Sequence, residues 1–430
     1  MSQEQSNSQS LRIISASRII TGKPDEVIPD GSVVISDGIV QWVGATANIP
    51  VEYEGIIREN FPSSTILPGL IETHAHLGAR SGSQAAVPNP ALHVQGWNAL
   101  HSVKILRQLA SVGITSVQSL GSKYYTDVAV SQAVEQGLIE GPRVVPAGPM
   151  ITTTGGHDWH DGAEVDSIDD IRHAVREHHK AGAAVIKVAA TGGFMTPGTA
   201  QWNAQFSTDE LRVFVSEAHR LGKLLAVHAH GTEGIRRSVD AGVDYIAHAT
   251  FISEDGTTRF DAALADRIAE SGIYVDVASP PSFPPVANET IAPRAFDLFS
   301  HGVRIVTGHD IGAVIPAYGY LYGLEQLELA GIPRSEILIA ATSRASAAIG
   351  LAGVTGVVEY GYSADLLVVE GNPLDDLKAL YHKHLILIRG KTFIPEELPS
   401  YAGRQSSAGG PESVLGQRQA ALSRKQLQQW

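Results

Sequence analysis

From Ile66 to about residue 353 the chain keeps one rhythm, in which short apolar segments of strand length alternate with helical stretches. The segments are "TILPGLIETH", "ITSVQSL", "RVVPAG", "AAVIKVAA", "LLAVHAH", "DYIAHAT", "IYVDVA" and "VRIVTGHD". The helices between several of them are well punctuated. In "STDELRVFVSEAHRLGK", Ser207 and Glu210 fit a capping box, and Gly222 stands where a helix should stop. "SIDDIRHAVREHHKAGA" ends in the same way at Gly182. Eight strand-helix units predict a (β/α)8 TIM barrel over residues 66–353. The competing architecture, a doubly wound open sheet, suits neither the number eight nor the lack of a dinucleotide-binding glycine fingerprint.

The flanks have a different texture. Residues 11–65 hold β-rich segments such as "LRIISASRII" and "SVVISDGIVQWVG", separated by turn signals. Strand texture returns after the barrel region in "TGVVEYGYSADLLVVEGNPL" and "HLILIRGKTFI". The barrel is therefore expected as an insertion in a small β-sandwich domain built from residues 11–65 and 354–395. Residues 1–10 are polar and aperiodic and are expected to be disordered. Residues 396–430 read as a tail, mobile or held in an oligomer, with a short helix over 412–428.

Composition narrows the chemistry. The formal net charge of −13 argues against a nucleic-acid surface and against binding to acidic membranes. With no cysteine, disulfides and thiolate metal sites are excluded, so a metal must be held by His, Asp, Glu or a modified Lys. No signal peptide and no long apolar run is visible, which makes the cytoplasm the expected compartment. A glycosylation-like "NET" at 288–290 then carries no meaning.

"LPGLIETHAHLG" ends an apolar run in His74 and His76. In a strand, residues i and i+2 share a face, so both imidazoles project together at a strand's C-terminal end. In a barrel that end carries the site. The pair suits a divalent metal such as zinc; two hydrogen-bonded loop histidines would be the plain alternative. The other strand ends favour metal: His228 and His230 in "LLAVHAHG", His248 in "DYIAHAT" and Asp310 in "VRIVTGHDIG". Lys187 lies among small apolar residues in "AAVIKVAATGG". Burial favours its neutral amine, which can take up carbon dioxide to form a carbamate able to bridge two cations. Pairing with a barrel carboxylate is the other reading. No GxSxG elbow, HExxH helix or P-loop occurs.

With HxH, Lys, His, His and Asp on strands one, four, five, six and eight, the chain resembles the amidohydrolase superfamily. "LPGLIETHAHLG", "VHAHGTEGI", "DYIAHAT" and "ADLLVVEGNPL" resemble its imidazolonepropionase-like branch, which includes prolidase-like dipeptidases and ochratoxin-hydrolysing amidases. The resemblance spans about residues 11–395. It implies two divalent ions, zinc first among the candidates. His74, His76 and Asp310 would hold the more buried ion and His228 and His248 the other, with carboxylated Lys187 and a hydroxide bridging them. His230 would face the substrate and polarise its carbonyl, and His157 in "TTTGGHDWH" matches a substrate-loop histidine. The chain departs from the family's usual "GTD" with "GHD", and His309 is expected to point away from Asp310 as a packed, hydrogen-bonded residue.

The implied reaction is hydrolysis of the amide bond of a dipeptide or N-acyl amino acid, with an aromatic, ochratoxin-like substrate one possibility. The bridging hydroxide attacks the carbonyl, and Asp310 acts as base and then acid to give a carboxylate and an amine. The alternatives are hydrolysis of a urea, carbamate or cyclic amide and, further off, a non-catalytic scaffold. Trp159, Trp202, Tyr318, Tyr320, Tyr322 and the loop "ASPPSFPPVAN" are candidate pocket walls, and Arg80 or Arg294 a candidate anchor for a substrate carboxylate. His173, His178, His179 and His219, on predicted helices, are expected at the surface. Relatives commonly form tetramers or octamers, so a homo-oligomer is expected.

Overall fold

The computed structural model describes residues 11–78, 95–278, 292–312 and 315–398. The expectations for residues 1–10, Arg80, "NET", 412–428 and all but the first residue of "ASPPSFPPVAN" lie outside them.

Both ends of the chain build one sheet. Its strands are β1 (Arg12–Ile20), β2 (Val27–Ser36), β3 (Ile39–Ala45) and β4 (Arg58–Pro68) from the N-terminal part. The three late strands β15 (Leu366–Glu370), β16 (Lys383–Ile388) and β17 (Lys391–Thr392) complete the order β17-β16-β15-β4-β1-β2-β3. The β2–β3 hairpin turns on Asp37 and Gly38, with φ of 51° and 77°, the left-handed pair that a two-residue turn between twisted strands demands. Side-chain alternation along β15 ties this sheet to the rest of the molecule. Leu366 and Val368 enter the sheet's own core with Ile14, Val33 and Ile66, while Leu367 and Val369 enter the large central core.

The segment "TILPGLIETH", expected as one strand, is divided at Gly69. Residues 65–68 end β4 and pair with β15, whereas Leu70–Ala75 form β5, the first strand of a parallel sheet. A Cβ at Gly69 would lie 2.1 Å from Oγ1 of Thr115, so only glycine fits where the chain passes between sheets. Both halves are buried and apolar, and hydrophobic pattern alone cannot see such a crossing.

Beyond Gly69 the chain is mixed α/β with parallel strands. Strands β5, β6 (Ile114–Ser119) and β7 (Arg143–Pro146) form a three-stranded sheet. A second sheet has the order β14-β13-β12-β11-β10-β8-β9. Its members are β8 (Ile151–Thr152), β9 (Ala163–Glu164), β10 (Val185–Ala189), β11 (Leu224–Gly231), β12 (Tyr245–Ile252), β13 (Tyr274–Asp276) and β14 (Arg304–Val306). Backbone bonds join the two sheets at two places: Ala184 N, just before β10, donates to Pro146 O of β7 at 2.7 Å, and Thr73 N of β5 to Thr307 O, just after β14, at 3.0 Å.

The helices are α1 (Gln95–Val112), α2 (Thr126–Glu135), α3 (Ile168–Ala181), α4 (Thr208–Arg220), α5 (Thr232–Ala241), α6 (Ala262–Ser271), α7 (Ala292–Ser300), α8 (Tyr320–Leu329), α9 (Arg334–Ala340) and α10 (Ser343–Ala348). Ser207 and Glu210 form the capping box of α4, and Gly182 closes α3 at φ 101°. Among the described residues no helix is long and apolar enough to cross a membrane.

Candidate active site

His74 and His76 end β5 side by side, both buried, and their Nε2 atoms lie 3.7 and 3.0 Å from Oδ1 of Asp310. Their outer nitrogens are engaged elsewhere. His74 Nδ1 is 3.1 Å from Asp276 Oδ2, and His76 Nδ1 is 3.2 Å from the carbonyl of Gly121. Each ring is thus fixed through Nδ1 and presents Nε2 inward, the arrangement that orients imidazoles toward a cation. Asp276 also accepts a bond from the Tyr245 hydroxyl at 2.7 Å. Burial opposes its ionised form, but His74 and that hydroxyl outweigh burial and hold the carboxyl below its usual range.

A second cluster stands beside the first. His228, His230 and His248 have ring centroids 4.4 to 4.7 Å apart, and His248 lies 5.1 Å from His74. Nε2 of His228 faces the carbonyl of Gly192 at 3.2 Å, and Nδ1 of His230 faces Oγ1 of Thr250 at 2.6 Å. Burial, reinforced by neighbouring cationic groups, pushes the pKa of His228 and of His248 well below the ordinary value and that of His230 to about 3. All three imidazoles are therefore neutral at neutral pH, with lone pairs available. Lys187, on β10, is buried, and its strand pairs with β11, which carries His228 and His230.

The backbone departs from the ordinary at these positions. His248 and Asp310 have φ of 74° and 56°, in the left-handed region that few non-glycine residues adopt.

His157 joins the clusters from the loop between β8 and β9. Its ring stacks on His228 at 4.4 Å, its Nδ1 lies 3.2 Å from Thr196 Oγ1, and its amide donates to Gln205 Oε1 at 2.7 Å. Trp159, in the same loop, stacks on His160 at 3.7 Å and is partly exposed. Phe194, which the sequence did not single out, sets its ring edge against His230 at 4.9 Å.

The other expected pocket residues have their own surroundings. Trp202 lines a separate cavity of about 430 Å³ with Arg236, Arg237 and Glu254. Tyr318 is half-buried against the central core. Tyr320 is fully buried, donates to Ile71 O at 2.9 Å and packs its ring 4.4 Å from His309. His309 is itself buried, with Nδ1 2.7 Å from Glu72 Oε2. His178, expected at the surface, is buried, with its ring nitrogens 2.7 and 2.8 Å from the carbonyls of Ala174 and Pro149. His178 continues the buried face of α3, spaced seven, four and three residues from Ile171, Ala174 and Val175.

Sequence reasoning missed Asp276 and Glu72. The signal was present, since each is a lone carboxylate inside an apolar strand segment, "IYVDVA" and "LIETH". The argument that marks Lys187 as unusual applies equally to a buried carboxylate.

Among the described residues, three groups have donor atoms close enough together to hold a metal ion: His74, His76 and Asp310; His228, His230 and His248; and His74, His248 and Asp276. Neutral imidazoles with a carboxylate suit a borderline divalent cation, so the residues fit the group.

Neutral histidines and carboxylates gathered at the C-terminal ends of parallel strands define a candidate centre for metal-dependent chemistry. Residues 65–393 match the model of the amidohydrolase family, and the chain belongs to that family. It is 29% identical to ochratoxinase from Aspergillus niger over 416 residues, which cover 86% of this chain and 83% of that one. Imidazolonepropionase from Pseudomonas fluorescens is 26% identical, with 79% and 88% covered. A crystal structure of a Xaa-Pro dipeptidase with methionine bound in the active site superposes with a TM-score of 0.78 at 27% identity, covering 89% of this chain and all of that one. These relatives are those of the imidazolonepropionase-like branch, and the chain is a hydrolase acting on carbon–nitrogen bonds.

Proposed function

We propose that the protein hydrolyses the amide bond of a dipeptide or N-acyl amino acid at a centre for two divalent ions, zinc first among them. His74, His76 and Asp310 would hold one ion, His228 and His248 the other, and a carboxylated Lys187 would bridge them. The observation that carries this reading is the convergence of both Nε2 atoms of the HxH pair on Asp310 Oδ1, with neutral His248 5.1 Å from His74 across the cluster. When bound, such ions lower the pKa of water from about 15.7 to about 7 and polarise a carbonyl.

The chain's own groups then have distinct tasks. In the net reaction the oxygen of water bonds to the carbonyl carbon and the carbon–nitrogen bond breaks. Asp310 accepts a proton from the water and returns it to the leaving nitrogen. His230 turns Nδ1 toward Oγ1 of Thr250, which leaves Nε2 to face the substrate, and in the tautomer protonated there Nε2–H would donate to the carbonyl oxygen as it gains charge. His157, stacked on His228, closes the site on the side of the β8–β9 loop. An ochratoxin-like aromatic amide fits the same reading, in keeping with the name of the Aspergillus relative.

The two sheets, joined by backbone bonds at two places, are read as one closed (β/α)8 barrel over residues 66–353. The composite sheet is read as a small β-sandwich from residues 11–65 and 354–395. A cytoplasmic homo-oligomer completes the proposal. A panel of dipeptides, N-acyl amino acids and phenylureas, scored for released amine, tests the function. Amine from the first two classes is expected, and turnover of phenylureas alone would replace amide with urea hydrolysis.

A further inference from the structure

Arg294 stands in the first turn of α7, on the chain that returns from β13. Its Nη2 donates to the carbonyl of Val277 at 3.0 Å, one residue beyond Asp276. Its Nε is closed off from solvent and meets no acceptor among the described residues. Burial draws its pKa down to about 10, and the field of Asp276 offsets that loss only in part. Asp276 in turn bonds His74 Nδ1, so the guanidinium is anchored at the end of the strand whose carboxylate orients a histidine of the site.

A guanidinium offers five N–H donors in a planar fork. Here a partly desolvated cation keeps a donor without an acceptor among the described residues, held one residue from the carboxylate that orients His74. A neutral group would leave its charge uncompensated, whereas a carboxylate supplies both charge and paired acceptors. We propose that Arg294 binds the free carboxylate of the substrate, so that the site takes N-acyl amino acids and dipeptides in preference to uncharged amides, ureas and carbamates. In those substrates the carboxylate is attached to the carbon next to the scissile nitrogen, on the amine that leaves. The assignment rests on the amide-hydrolysis reading above and narrows it. It makes Arg294 a specificity-determining residue.

The test compares N-acetyl-L-phenylalanine with N-acetyl-L-phenylalaninamide, scoring release of the phenylalanine amine in each, for the wild type, Arg294→Gln and Arg294→Lys. The wild type should favour the acid. Arg294→Gln should shrink the acid-to-amide ratio of kcat/KM by roughly 30-fold, mainly through KM, as expected for a charge-assisted bond. Arg294→Lys should restore part of the ratio. An equal fall for both substrates, or a wild type indifferent to the carboxylate, would overturn the assignment. If the wild type releases amine from neither, the amide-hydrolysis reading itself fails, and binding of N-acetyl-L-phenylalanine by calorimetry decides. Binding weakened by Arg294→Gln keeps the carboxylate site, and binding that is absent or unaffected removes it.

Discussion

Glu72 accepts a hydrogen bond from Nδ1 of His309 at 2.7 Å, and neither side chain reaches solvent. The same carboxylate takes the backbone N–H of His74 at 2.6 Å and of His309 at 2.9 Å. One buried group therefore ties the end of β5 to the segment after β14, next to both His74 and Asp310. Burial pushes the Glu72 carboxyl up, while His309 and the two amides pull it back toward ionisation.

Removing one member of a buried pair leaves the other uncompensated. His309→Ala should cost about 3–5 kcal/mol of stability. A double-mutant cycle with Glu72→Gln should show coupling above about 1 kcal/mol. Urea denaturation measures both, and additive single changes would mean that the contact contributes nothing of its own.

His230 shares a cluster with His228 and His248, yet its Nδ1 is turned to Thr250. His230→Ala should retain the metal content of the wild type and lose about 100-fold or more in kcat. Thr250→Val should lose less, by freeing the tautomer. Elemental analysis beside kinetics separates the roles; lost metal in His230→Ala would make this residue a ligand.

Away from the site, Glu217 on α4 contacts Arg220 and Arg176, whose bonds hold its carboxyl down at about 2. A folded pKa below the unfolded value of about 4.3 stabilises the protein above that pH, and the gain is lost as pH falls toward 2. Both arginines are more than half exposed, so solvent screening limits the contribution to about 1 kcal/mol. Glu217→Gln should lower Tm at pH 7, and the difference should narrow between pH 5 and pH 3. A Tm gap independent of pH would contradict it.

Much of this arrangement was legible in the sequence because it rests on local pattern. The capping box at Ser207, the stop at Gly182 and the strand segments of β5–β7 and β10–β14 all depend on residues close together in the chain, whereas the two-residue strands β8 and β9 carry no such pattern. Period-two geometry likewise pairs His74 with His76 without reference to the rest of the fold. What escaped notice depends on contacts between distant segments. The crossing at Gly69 is set by Thr115, and the roles of Asp276 and Glu72 by partners on other strands. Trp202 packs its backbone against Gly231 and lines a cavity with Arg236 and Arg237 of α5, contacts between segments about 30 residues apart. The inward turn of His178 follows from the face that α3 presents to the core, which its neighbour His179 does not share.

The central claim is a centre for two ions bridged by a modified lysine. Metal analysis of the purified full-length protein, with carbon-13 NMR after exposure to labelled bicarbonate, tests it most directly. The account predicts close to two divalent ions per chain and a carbamate signal that Lys187→Ala abolishes. One ion or none, with Lys187 unmodified, would contradict it.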